Sequence, residues 1–282
     1  SVHVPAVGAG GMDVKVGQFP SPMSAESIDA SQNALYSHSY VFNFGVPFVH
    51  TGVLGVTHVN EVLDFYLGLD TGVNAWLGGG GLANDTVPHG QTGFGLSLLD
   101  GNLTVLALTH IGPENPKSTF GPAANSALRY LNDVTIVWKV LDKLTLTTDL
   151  NYIHDDGLKA SGGGAAQYVA YTIDDIFTLI GRGEIWRDGS GAFVASFQMP
   201  FDFINAERGL PTSPGGVVGG GGTTYGALTL GVNIKPPVPK AIEGFVIRPE
   251  LRFDDSLNGT KPFNTGKSGH QVTLAADFIL PF

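Results

Sequence analysis

The decisive stretch is QVTLAADFILPF, residues 271–282. Counted back by twos from Phe282, it places Leu280, Phe278, Ala276, Leu274 and Val272 on one side and Ile279, Asp277, Ala275, Thr273 and Gln271 on the other. Side chains of a strand alternate between faces, so one face is wholly apolar and the other mostly small or polar. As the edge of a soluble sheet such a strand would invite aggregation. As the closing strand of a transmembrane barrel it places the greasy face in lipid, the other toward water, and pairs both edges. A final strand of a soluble sandwich is the competing reading of these twelve residues alone.

Working outward, the rest of the chain repeats the pattern. Strand-like alternation is found at Met12–Phe19, Val46–Thr57, Val62–Asp70, Gln91–Leu99, Leu103–Ile111, Leu128–Val140, Lys143–His154, Ala166–Ile173, Phe177–Asp188, Thr223–Ile234, Gly244–Asp254 and His270–Phe282. These twelve segments are separated by alternately long and short connections. The long ones are rich in Gly and Pro, as in an up-and-down antiparallel barrel with long loops on one side of the membrane and tight turns on the other. Asp100-Gly101 is a strong hairpin signal, and Asp155–Gly164 reads as a loop because of its glycines. Ser1–Pro5 reads as the tail of a further strand. The start without Met leads to the expectation of a processed or truncated chain, with a secretory signal and further strands upstream. One domain, residues 1–282, accommodates the whole pattern.

Composition agrees and excludes alternatives. No run reaches the ~18–20 apolar residues of a membrane-crossing helix. With 40 Gly and 3 Met the chain is poorly suited to helices, and the absence of Cys removes disulfides, thiol catalysis and Cys-ligated metals. A net charge of −10 speaks against nucleic-acid binding.

The charges have a parity of their own. In GFVIRPELRFD, residues 244–254, Phe245, Ile247, Leu251 and Phe253 oppose Arg248, Glu250, Arg252 and Asp254, and in Phe177–Asp188 Arg182 and Glu184 oppose Leu179 and Ile185. Arg on the lipid face at the midplane costs about 2–4 kcal/mol, so these groups must face the interior. Lys15, Asp64, Arg129, Asp133, Lys139 and Asp149 fall on matching parities and complete the expected lumen lining. A lumen of both signs either sets a transverse field across a water-filled bore or pairs off and plugs a narrow one. Small inward residues (Gly68, Gly93, Gly95, Ser97, Ala227, Gly231) favour the open bore. Outward Tyr130, Trp138, Tyr152 and Tyr171 suit interfacial girdles. The long connection Pro20–Gly45, with Asp29, Asn33, His38 and Tyr40, is the candidate for an inward-folding constriction.

The segment DVKVGQF…SYVFNFGVPFVHTGVL (Asp13–Leu54), with GRGEIWRDGSG (Gly181–Gly191) and the RPELRFD strand, resembles the OmpL-like family of β-barrel porins, and does so over most of the chain. The terminal Phe likewise resembles the C-terminal signature by which bacterial outer-membrane barrels are recognised for assembly. The resemblance implies a porin of the bacterial outer membrane, embedded in lipid and passing small hydrophilic solutes or ions without a cofactor; it names no solute. Two other classes compete. A docking barrel would hold a protein partner or a second copy of itself, with loops such as Gly215–Gly222 as adaptable surface. A hydrolase would need a nucleophile, and Ser37, His38 and Ser39 are adjacent on an extended segment and point apart, with no G-x-S-x-G, so no catalytic residue is assigned. His50, His58, His89, His110, His154 and His270 lack H-x-x-x-H spacing, so no metal site is expected. GGGG at 78–81 has no following Lys and is not a phosphate loop.

Overall fold

The computed structural model describes residues 1–5, 10–75, 87–194, 222–264 and 266–280. The GGGG run at 78–81, residues 215–221 of the Gly215–Gly222 stretch and the terminal Pro281-Phe282 lie outside the described residues.

Alternation dictates strands, and among the described residues thirteen form a single sheet in sequence order, each antiparallel to the next. They are β1 (Val2–Val4), β2 (Met12–Pro20), β3 (Val49–His58), β4 (Leu63–Asp70), β5 (His89–Leu98), β6 (Leu103–Gly112), β7 (Arg129–Leu141), β8 (Leu144–Asp155), β9 (Ala160–Thr172), β10 (Phe177–Asp188), β11 (Thr223–Ile234), β12 (Val246–Ser256) and β13 (His270–Ile279). The expected tail of a strand at the start is β1, paired Val2 to Val14 and Val4 to Met12. Among the described residues no helix is long and apolar enough to cross a membrane.

The two faces sort as the parities require. Leu230, Leu251 and Leu274 lie abreast on β11, β12 and β13 and are 55, 49 and 80% exposed, while Arg182, Arg248 and Arg252 are 0, 2 and 9% exposed on the opposite face. An apolar outer belt and a charged interior are the arrangement lipid demands of a strand-built span. Trp138, Tyr152 and Tyr171 stand on that outer face.

Two expectations about connections fail. Asp155–Gly164 is not a long loop: the turn spans only 156–159, and β9 begins at Ala160. Gly162–Gly164, which read as loop formers, belong to the strand because the wall is tight there. A Cβ on Gly164 would overlap the Ile185 carbonyl, and one on Gly162 would press on Trp186 and Phe193. Conversely, the turn-side connection 235–245 between β11 and β12 is long and contains a 3-10 turn, Lys240–Ile242. The long-short alternation therefore holds in most of the barrel and breaks at these two places.

The largest apolar cluster is inside. It joins Leu108, Leu131, Ile153, Tyr168, Trp186 and Tyr225 of the wall to Met23, Tyr40, Val41, Phe42 and Val46 of the β2–β3 connection. That connection carries a 3-10 turn, Ala30–Gln32, and a short helix α1 (Tyr40–Gly45), which packs on β8, β9 and β10. A second short helix, α2 (Lys117–Phe120), lies in the β6–β7 connection.

Candidate functional site: an inner loop gripped by the charged wall

A connection folded into a barrel has main-chain N–H and C=O groups and no ladder to satisfy them, and such groups are costly when left unpaired. The wall's charges meet that need. Carboxylates accept the loop's amides: Ser24 N donates to Asp133 at 2.7 Å, Ala25 N to Asp149 at 2.9 Å, Tyr36 N to Glu250 at 2.8 Å and Tyr40 N to Glu184 at 2.6 Å. Guanidiniums donate to its carbonyls: Arg182 to Ser37 at 2.6 Å, Arg252 to His38 at 2.7 Å, and Arg248 to Asn33. The two signs of lumen charge thus match the two polarities of a peptide group. Hydrogen bonds to ionised groups of this kind are roughly twice as strong as neutral ones.

The charges also bind each other. Glu26, from the loop, accepts from Arg182 at 2.8 Å and from the Tyr168 hydroxyl at 2.6 Å, and lies 2.7 Å from His38 Nδ1. Glu184 bridges Arg182 and Arg252, each at 3.2 Å, and Arg252 reaches Asp254 at 2.7 Å. Burial alone would push the Glu26 carboxyl up, but the His38 hydrogen bond and the Arg182 charge outweigh it and hold it below the ordinary carboxylate range. The Tyr40 hydroxyl, buried beside Asp254, is pushed well above the phenolic range.

Ser24 marks the first turn of this grip. It has a left-handed backbone, φ 77°, a conformation costing about 1–3 kcal/mol for a non-glycine residue. Its N–H and its hydroxyl are held by Asp133 and Asp149.

Of the lumen residues expected from sequence, Asp133, Asp149, Arg182, Glu184, Arg248, Glu250, Arg252 and Asp254 converge on the inner loop or its partners. The other four lie elsewhere. Arg129 pairs with Asp155 at 2.7 Å, Asp64 with His58 at 2.7 Å, Lys139 is exposed near the β7–β8 turn, and Lys15 is exposed on β2. Among the loop residues, Asn33 and Tyr40 are buried, while His38 reaches Glu26. Asp29 instead points to solvent and caps the 3-10 turn through Ser31. Glu26, the loop's main anchor, was not legible in sequence, because nothing local shows that a lone Glu faces Arg182, 156 positions away.

Three of the small inward residues do not leave the room expected of them. A Cβ on Gly231 would meet Leu35 of the loop, one on Gly93 would meet Leu108, and one on Gly68 would meet Gln91. Their room is filled by larger neighbours. Two cavities lie along the loop. A cavity of about 580 Å³ is lined by Lys15, Ser24, Glu26, Ser27, Asp29 and Asn33 among others. A second, of about 200 Å³, is lined by Leu35, Thr145, Thr147, Tyr168 and Ile180. Ala25, Glu26 and Gln32 border both.

Ser37, His38 and Ser39 are each committed elsewhere: Ser37 Oγ accepts from Arg182, His38 meets Glu26, and Ser39 Oγ caps α1 by accepting from Phe42 N.

An apolar belt outside, a charged wall inside and a connection folded into the lumen define the class of outer-membrane β-barrel channels. Residues 2–282 match the family described as "Putative beta-barrel porin-2, OmpL-like", and the chain belongs to it. It is therefore a protein of the bacterial outer membrane, of the porin type. Among solved structures, the outer membrane channel DcaP of Acinetobacter baumannii is similar with a TM-score of 0.50 at 11% identity, over 94% of this chain and 70% of that one. OprD of Pseudomonas aeruginosa is similar with a TM-score of 0.42 at 13% identity, over 96% of this chain and 78% of that one, too distant a likeness to argue from. At such identities the first likeness concerns the fold alone. No curated protein matches the chain.

Proposed function

We propose that the protein is a non-enzymatic diffusion channel for small hydrophilic solutes or ions, narrowed by the 21–48 connection. The observation that carries this reading is the position of segment 25–35 between two cavities, with Glu26 and Gln32 bordering both. A solute crossing from one to the other passes Lys15, Glu26 and Gln32, a polar path with both signs of charge. Asp133, Asp149, Arg182, Glu184, Arg248, Glu250, Arg252 and Asp254 hold the loop and are not free to meet the solute. Single-channel recording in planar bilayers tests the proposal. The wild-type barrel gives discrete conductance steps, and Gln32→Trp, which narrows the shared border, lowers them several-fold. A wild type with no channels above background overturns it.

A further inference from the structure

A cluster of histidines and carboxylates sits on the inner wall away from the arginine network, and the channel reading does not use it. β3, β4, β5 and β6 bring together His50, Asp70, His89 and His110, joined by Glu114 just beyond β6. All five are buried. Asp70 Oδ2 lies 3.0 Å from His50 Nδ1 and Oδ1 lies 3.0 Å from His110 Nε2. His89 stacks on His110 with ring centroids 5.7 Å apart and planes within 6°, and its Nε2 is 3.5 Å from Glu114 Oε1.

Three observations point to a bound cation. One donor atom from each of His50, Asp70 and His110 lies within 4.8 Å of the others. Donors held about 2.0–2.1 Å from a tetrahedral zinc are about 3.3 Å apart, close to the 3.0 Å at which the two oxygens of Asp70 hydrogen-bond His50 and His110, so an ion replacing those protons needs only a small shift of the donors. Next, both ring nitrogens of His89 and Oε2 of Glu114 are buried with no hydrogen-bond partner among the described residues, and buried polar atoms in that state are exceptions requiring a cause. Finally, Asp70 and Glu114 are both buried in this cluster, and buried carboxylates need positive charge nearby. The space is built for these rings: a Cβ on Gly112 would overlap His89, and one on Gly72, at φ +115°, would press on His89 and Glu114.

We propose that His50, Asp70 and His110 bind a divalent first-row transition-metal ion of the zinc class, with His89 and Glu114 supplying the adjoining imidazole and carboxylate. Imidazole and carboxylate together suit such ions. Ser21 Oγ, 3.1 Å from His50 Nε2, accepts a hydrogen bond from the ring N–H facing away from the ion and so orients the ring, as partners of metal-bound histidines do.

The test is titration of the refolded, chelator-stripped barrel with Co2+, followed by its visible d–d absorption. Wild type takes up one Co2+ per chain, displaced by Zn2+. His110→Asn and His50→Asn weaken uptake at least about tenfold, with folding checked by heat-modifiable gel mobility. His58→Asn, which alters the separate His3, Asp13, His58 and Asp64 group, leaves uptake unchanged. Absence of uptake by wild type, which needs no variant to interpret, overturns the proposal, as does uptake unaffected by His110→Asn in a folded barrel or abolished by His58→Asn.

Discussion

Arg182 is fully buried and holds Glu26, Glu184 and the Ser37 carbonyl at once. Removing one partner of a buried ion pair leaves uncompensated charge, which costs about 3–5 kcal/mol. Arg182→Ala is expected to destabilise the barrel by that order in urea titration, and Arg182→Ala with Glu26→Gln by less than the sum of the two single changes. Glu26 adds a pH dependence. Its folded-state carboxyl lies below the ordinary value of about 4.3, held there by His38 and Arg182 against the effect of burial. A depressed carboxyl stabilises above its unfolded value, and that contribution is lost as pH falls through the folded one. Titration below about pH 4 should therefore loosen the inner loop. Amide exchange at residues 36–40, compared between wild type and Glu26→Gln, checks this: the acid-induced rise should shrink in the variant.

At the scale of elements, α1 has six residues, too few to persist without its setting. Ser39 caps it through Phe42 N, and Ser39→Ala should cost about 1 kcal/mol, read as a lower urea midpoint. Gly45 lies against Asn151 and Trp186 so closely that a Cβ would overlap both. Gly45→Ala is expected to displace the helix and raise single-channel conductance. A conductance equal to wild type would show that α1 does not border the path. These elements also show what sequence could reveal. The wall was legible because lipid imposes a two-residue period, and Arg248, Arg252 and Arg182 had one permissible face. The loop's path was not, because it depends on hydrogen bonds such as Tyr36 N to Glu250, 214 positions apart, which no local pattern encodes. Strand β9 was missed at its start because glycine signals both a turn and a place where walls touch. The histidine cluster was missed because strand pairing, rather than helical spacing, assembles it.

For the whole molecule, the apolar belt should behave as a lipid-facing surface. Leu251→Arg, at the middle of β12 with Leu230 and Leu274 beside it, is expected to cost about 2–4 kcal/mol in vesicle-based unfolding, whereas Leu251→Val should cost little. An equal, small cost for both would place that face in water.

The grip of the wall on the inner loop falls largely on peptide groups, which every sequence shares. On the proposed channel reading, substitutions at Ser27, Ile28 or Gln32 change what the passage admits while leaving the anchorage in place. Natural selection could in this way diversify diet without redesigning the vessel.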